Sequence, residues 1–169
     1  MEISIRLATE ADFAALNELR RQVNDLHVRG RPDIFRPGFG EELQQHLQNY
    51  FHSDTNSAIA AEAEGRVVGF ALVDFIRRPA SPYNLPREFY HVAEIGVDPS
   101  FQRKGVATAL LAYMKRDALA RGFGRIELDV WSFNGSALAF YKAAGFHTYR
   151  RYMELALDEA PEKPAAART

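Results

Sequence analysis

Apolar residues recur along this chain with two different periods, and the switches between them mark out its elements. Ile3, Ile5 and Leu7 alternate with Ser4 and Arg6, the period of a half-buried strand. From near Ala11 the spacing becomes helical: Phe13, Leu16, Leu19, Val23 and Leu26 form one buried stripe, with Thr9 and Asp12 placed to cap its start. Val28 to Gly40 is dense in Pro and Gly and predicts a loop, after which Leu43, Leu47 and Tyr50 share one side of a second helix, Glu41 to Phe51. Ser57 to Ala63 and Arg66 to Asp74, joined by Glu64-Gly65, predict a hairpin. Phe75 to Arg87, with Arg77, Arg78 and three prolines, predicts a charged loop that either serves as a plain connector or forms a lip over a pocket.

The apolar run Val92 to Val97 is a strand closed by Asp98-Pro99, because proline removes a ladder donor. A loop with Gln102, Arg103, Lys104 and Gly105 follows, and it feeds a helix that stops at Gly122 and Gly124. Arg125 to Val130 is the next strand, with Ile126, Leu128 and Val130 on one face; strand, helix, strand implies a parallel pair with a right-handed crossover. Asn134 or Ser136 can cap a short helix ending near Ala144, before Gly145. His147 to Leu157 predicts a final strand, and residues 158–169, rich in Ala, Pro and charge, a frayed tail. The order is that of a mixed α/β fold, with a single domain over residues 1–157.

Composition narrows the functions open to such a fold. A net charge of −1 gives no footprint for nucleic acid, and no apolar run is long enough to span a bilayer. With no cysteine and no signal-like N-terminus, a cytoplasmic enzyme is the expectation. The five histidines, at 27, 46, 52, 91 and 147, show no metal-ligand spacing and read as surface or core residues, so no metal is expected.

The densest chemistry lies between His91 and Arg121. A strand feeding a basic, glycine-bearing loop at a helix N-terminus suits a phosphate-bearing ligand, because unpaired N–H groups and the helix dipole both favour an anion there. The same loop composition also fits a plain turn carrying two solvated cations. Neither Gly-x-x-x-x-Gly-Lys-Ser/Thr nor Gly-x-Gly-x-x-Gly occurs, so an anion would be held by another scheme.

Gln102-Arg103-Lys104-Gly105-Val106-Ala107 resembles the Gln/Arg-x-x-Gly-x-Gly/Ala signature of the GNAT superfamily of acetyl-CoA-dependent N-acetyltransferases. Leu128 to Ala137, with Phe140-Tyr141 and Gly145-Phe146, is similar to that family's later Asn…Ala…Phe-Tyr…Gly-Phe segment. The resemblance extends over most of Ile3 to Met153. It implies a central mixed, mostly antiparallel sheet with a splayed parallel strand pair and helices on both faces.

It also implies a site. The acetyl-CoA diphosphate would lie on the amides of Lys104, Gly105, Val106, Ala107 and Thr108, framed by Gln102 and Arg103. Pantetheine would pair with the backbone of Ile95 and Val97, where Gly96 suits a bulge or a close ligand approach. Asn134 and Ala137 would bind the same arm, and the Val97 N–H would steady the oxyanion. Tyr141 would protonate the departing sulfur, the bland reading being core packing with its hydroxyl satisfied. Glu94 is the first candidate base and Asp129 the second; the bland readings are an arginine pair or solvent for Glu94 and a loop hydrogen bond for Asp129.

Asp33 and Phe35 would border the acceptor or simply fix their own loop, and Trp131 would either wall that pocket or cover the sheet. The acceptor would be a primary amine of a small molecule or peptide, which attacks the thioester directly in a ternary complex; a homodimer is the common default for such enzymes. The competing readings are a degenerate acyl-CoA-binding regulator and a nucleotide-binding module.

Overall fold

The computed structural model describes residues 1–157 of the chain. It divides into two compact units, one comprising residues 1–133 and the other beginning at Asn134. In the first, five strands form one sheet in the order β1-β2-β3-β4-β5: β1 Ser4–Leu7, β2 Asn56–Ala63, β3 Arg66–Arg78, β4 Arg87–Val97 and β5 Ile126–Leu128. Every neighbouring pair is antiparallel except β4 and β5, which are parallel. The helices of this unit are α1 (Phe13–Gly30), α2 (Glu41–His46), which continues as a 3-10 turn over Leu47–Tyr50, and α3 (Val106–Ala120). The sheet is therefore the mixed, mostly antiparallel one expected.

Both faces of the sheet carry a helix. On one, Leu16 and Leu19 of α1 join Leu47, Tyr50, Phe70 and Leu72 in a buried cluster. On the other, α3 comes so close that a Cβ on Gly69 would meet Val106 at 2.8 Å and Leu110 at 3.4 Å. Asp12 fixes the entry to α1: its carboxylate accepts from the Thr9 N–H at 2.8 Å and from Arg6 at 2.7 and 2.8 Å.

Four expectations need correction. β3 and β4 run on in register from Phe75↔Tyr90 to Arg78↔Arg87, so the connector shrinks to residues 79–86. The arginines there stay in strands because aromatic faces cover them: Arg77 over Phe123 at 4.9 Å, Arg87 over Phe89 at 4.9 Å. α1 persists to Gly30, three residues into the expected loop. β5 keeps only three residues, Ile126–Leu128, and its pairing stops at Val92↔Leu128 although β4 runs on to Val97. Residues 147–157 form no strand among the described residues, although they alternate; Tyr152, Met153 and Leu155 are exposed. Alternation marks a strand only where a partner edge supplies the ladder. The tail expected over 158–169 lies outside the described residues.

In the second unit, α4 (Gly135–Ala143) is capped by Asn134, whose side-chain oxygen accepts from the Ala137 N–H at 3.2 Å. Ser136 donates to the same oxygen at 3.2 Å, so of the two candidate caps Asn134 is the one used.

Candidate active site

The sheet opens where β5 ends. β4 and β5 pair over Tyr90↔Ile126, His91↔Glu127 and Val92↔Leu128; residues 93–97 of β4 then continue with no β5 partner. The register against β3 explains what this free stretch offers. Leu72 pairs with Glu94 and Val73 with Val92, so Ala93 is an extra residue, a bulge. Before the bulge the Tyr90 N–H bonds Arg125 of the β5 side at 3.0 Å; after it the Asp98 N–H bonds Val68 of β3 at 2.8 Å. Antiparallel hydrogen bonding alternates by residue, so Gly96 and Glu94 also turn their backbone to β3. Ile95 and Val97 therefore present N–H and C=O groups to the open edge.

The bulge sits at Ala93, not at Gly96 as the sequence suggested. Gly96 answers a different demand, since a Cβ there would lie 2.6 Å from Phe70 and 2.8 Å from Val23 of α1. Glycine lets helix and sheet approach at that point.

At the end of β4, Asp98 accepts from the Ser100 N–H at 2.8 Å and starts the 3-10 turn Pro99–Phe101. Gln102 then donates from its side chain to the Val97 carbonyl at 3.2 Å, tying the loop to the strand. Arg103 has φ 59° and Gly105 φ 90°, with Lys104 between them on the ordinary side. Alternation of this kind turns successive N–H groups to one side as an anion-binding concavity, and a non-glycine residue at positive φ costs of order 1 kcal/mol or more. α3 opens at Gly105 with no side-chain cap, so its first-turn N–H groups at Val106, Ala107 and Thr108 are left to a ligand or solvent. Lys104 lies over the Phe101 ring at 5.0 Å.

The bulge also decides which side chains meet. In an unbroken strand Glu94 would share a face with Val92 and Tyr90, whose hydroxyl donates to Asp117 of α3 at 2.9 Å. The extra residue moves Glu94 to the α1 face instead, together with His91. There Arg20 of α1, itself buried, donates to Glu94 Oε2 at 2.9 Å, to Asn17 at 2.9 Å and to the Leu43 carbonyl at 2.8 Å. Of the readings open for Glu94, the arginine pair is the one realised. Burial nevertheless outweighs Arg20 and pushes the Glu94 carboxyl above its ordinary value.

His91 has Asp74 of β3 as its cross-strand partner, with Nδ1 3.3 Å from Asp74 Oδ2. Its Nε2 lies 3.9 Å from Asp129, whose side chain is 90% exposed. The Tyr50 hydroxyl is raised by burial first and by the Asp74 charge second. From sequence His91 reads only as a surface or core residue. Its place depends on the bulge, which no motif records.

The acceptor candidates Asp33, Phe35 and Trp131 also come together. Phe35 stacks on His27 at 5.0 Å and meets the Trp131 ring edge-on at 5.3 Å, while Trp131 stacks on Phe133 at 6.1 Å. Arg31 lies over Trp131 at 5.7 Å and binds the Asp33 carboxylate at 2.7 Å. Asp33 is thus held by a neighbour in its own loop.

Tyr141 lies in the second unit, buried between Phe140 and Phe146 with ring separations of 5.4 and 5.5 Å. Burial pushes its hydroxyl up to about 12, above the ordinary phenol value. It is therefore protonated throughout the neutral range and a weaker acid than an exposed tyrosine.

Comparison with known proteins agrees with this architecture. A relative from Pectobacterium atrosepticum, named as an acetyltransferase, is 25% identical over 146 residues, 86% of this chain and 89% of its own. Among solved structures, a mutant form of the BH1408 protein from Bacillus halodurans superposes with a TM-score of 0.87 at 26% identity, covering 91% of this chain and 99% of that one. AAC(6')-Iy, bound to a CoA-linked bisubstrate analogue, shares the fold with a TM-score of 0.74 at 21% identity, covering 93% and 99%. The family model described as the acetyltransferase (GNAT) family matches residues 21–146, and on that match the chain belongs to the GNAT acetyltransferases.

Proposed function

We propose that this protein transfers the acetyl group of acetyl-CoA to a primary amine by direct attack in a ternary complex. The observation that carries the reading is the continuity of the open β4 edge with the uncapped start of α3. The outward N–H and C=O groups of Ile95 and Val97 suit a pantetheine amide chain laid along them as an extra strand, and the alternating loop at Arg103 to Gly105 suits a diphosphate. Gln102 and Arg103 frame the diphosphate; Lys104 supplies charge.

The oxyanion, the leaving sulfur, the pantetheine arm and the acceptor then each have a residue. The Val97 N–H, free of β3, donates to the thioester oxygen as negative charge develops, a contribution of roughly 3–4 kcal/mol for a pre-aimed donor in a dry site. The neutral amine attacks the carbonyl, the C–N bond forms and the C–S bond breaks. Tyr141 gives its proton to the leaving sulfur and is reprotonated by the one the nitrogen sheds. Asn134 and Ala137 steady the pantetheine arm. Phe35, Trp131 and the Arg31-held Asp33 line the acceptor side. The acceptor is a small-molecule or peptide amine. The shared fold with AAC(6')-Iy, an aminoglycoside N-acetyltransferase solved with CoA, makes polyamine-like small molecules the first to test.

The test is a thermal shift with acetyl-CoA, with ATP and with buffer alone, followed by thiol release with an amine panel. Acetyl-CoA at 100 times its dissociation constant stabilises by about 2.7 kcal/mol, several degrees in a domain of this size. Tyr141→Phe is expected to lower turnover by about 100-fold with unchanged acetyl-CoA affinity. Absence of a shift with acetyl-CoA would end the enzyme reading. Binding without turnover of any amine would favour the acyl-CoA-binding regulator.

A further inference from the structure

We propose that His91 accepts the proton of the attacking amine, held by Asp74 on one side and faced by Asp129 on the other. The proposal rests on the acetyl-transfer reading above and names the base which that reading needs.

Position is the first support. His91 sits on the second-last rung of the β4–β5 pair, so it flanks the point where the strands part. The bulge at Ala93 puts it on the same face as Glu94, the α1 side of the sheet.

Hydrogen bonding is the second support. With Nδ1–H donating to Asp74 Oδ2 at 3.3 Å, Nε2 keeps its lone pair. The 3.9 Å from Nε2 to Asp129 is too long for a hydrogen bond. An ammonium group entering from solvent is drawn to the exposed Asp129 carboxylate and reaches Nε2 directly or through one water. Glu94 is less suited to the task, because Arg20 holds its Oε2 at 2.9 Å.

Among the described residues, few groups face His91. They are Asp74 on β3, with Tyr50 behind it from the turn after α2, Asp129 after β5, and the Phe89 ring edge-on at 6.3 Å. Further along the same face lie Glu94, Arg20 and His46.

The proton balance closes. Nε2 takes one proton from R–NH3+ and later releases it to water. The amine forms the C–N bond, the C–S bond breaks, and the sulfur takes the Tyr141 proton, which the second departing N–H proton restores. The net products are the amide, the free thiol and one proton.

Two measurements on the full-length protein test this. Imidazole 15N–1H correlation spectra, with the His91 signal assigned from its loss in His91→Asn, are expected to show the Nδ1–H tautomer in the neutral ring. An Nε2–H tautomer would overturn the proposal even before any acceptor is known.

The second measurement is kcat against pH, with spermidine as the first acceptor probe. His91→Asn keeps a side-chain donor for Asp74, so a structural role would survive it. It is expected to cut kcat at neutral pH by about 100-fold and abolish the acid limb of the profile, with KM for acetyl-CoA unchanged. An unaltered profile in His91→Asn would overturn the role of His91 while leaving acetyl transfer intact. Failure of the wild type to bind acetyl-CoA would instead strike the reading beneath it.

Discussion

Two arginine–carboxylate pairs in the first unit have the same chemistry and opposite electrostatics. At the outer edge of the sheet, Arg6 of β1 grips Asp12 with two hydrogen bonds, at 2.7 and 2.8 Å, and Glu62 of β2 at 2.5 Å. Arg6 and the Thr9 N–H hold the Asp12 carboxyl at about 2, below its ordinary 3.8. On the α1 face, Arg20 gives Glu94 one hydrogen bond and spends its others on Asn17 and Leu43. There burial wins and the Glu94 carboxyl goes up. An arginine lowers a carboxyl only when its hydrogen bonds outweigh the water that folding removes. The edge pair is a clamp on the entry to α1, and the inner pair is a charge kept at a cost beside the open strand.

The comparison can be broken most severely at Arg20. Its side chain is 5% exposed, and its loss leaves Glu94, Asn17 and the Leu43 carbonyl without a donor. Arg20→Ala is expected to cost about 3 kcal/mol, the lower end for one partner of a buried pair, since Glu94 keeps some contact with solvent. Denaturant unfolding measures this. Arg20→Met with Glu94→Leu should recover most of the loss, because apolar side chains of similar volume need no compensation. A loss below about 1 kcal/mol in Arg20→Ala would mean that water reaches Glu94 freely, and the contrast with Asp12 would fail.

Much of this architecture was legible in the sequence because it depends on short-range signals. The Ile3, Ile5, Leu7 alternation, the α1 stripe, the Asp98-Pro99 stop and Gly105 at the start of α3 each act within a few residues. The bulge at Ala93 was not legible. It is a mismatch in residue count between β3 and β4, and it shows only when both strands are laid side by side. The faces of His91 and Glu94 follow from it, so the loop that suits an anion could be found from sequence and the acid–base cluster could not. Arg20 did leave a trace, since it lies four residues after Leu16 and three before Val23, a charge inside the apolar stripe of α1. The 147–157 segment misled for the opposite reason, having the strand pattern without forming a strand.

The pH dependence of stability sharpens the contrast, because the two carboxyls have opposite slopes. Asp12 is depressed when folded, so its contribution is complete above the ordinary aspartate range and fades as pH falls from about 4 through about 2. At pH 7 it is worth about 1–2 kcal/mol, reduced by screening because Arg6 is a third exposed. Glu94 is raised when folded, so the folded state holds its proton more tightly. Its site loses stability as pH rises through the range above the ordinary glutamate value of 4.5. Asp12→Asn is therefore expected to flatten the acid arm of the stability curve, and Glu94→Gln the descending arm above it. Equal slopes in the two variants would mean that burial does not separate the pairs.

The smallest effect is expected at a third pair, which marks the exposed limit of the series. Arg21 of α1 bonds Glu18 at 2.6 Å and Asp25 at 2.8 Å, geometry as good as that of Arg6, yet its neighbours stand in solvent. Side-chain ordering and salt screening offset the attraction between exposed charges. Arg21→Ala should leave the thermal midpoint unchanged at 0.15 M salt, and adding 1 M salt should not separate it from the wild type. A clear drop in the midpoint would show that hydrogen-bond geometry alone sets the strength of these pairs. Arg6, Arg20 and Arg21 would then differ for a reason other than the solvent around them.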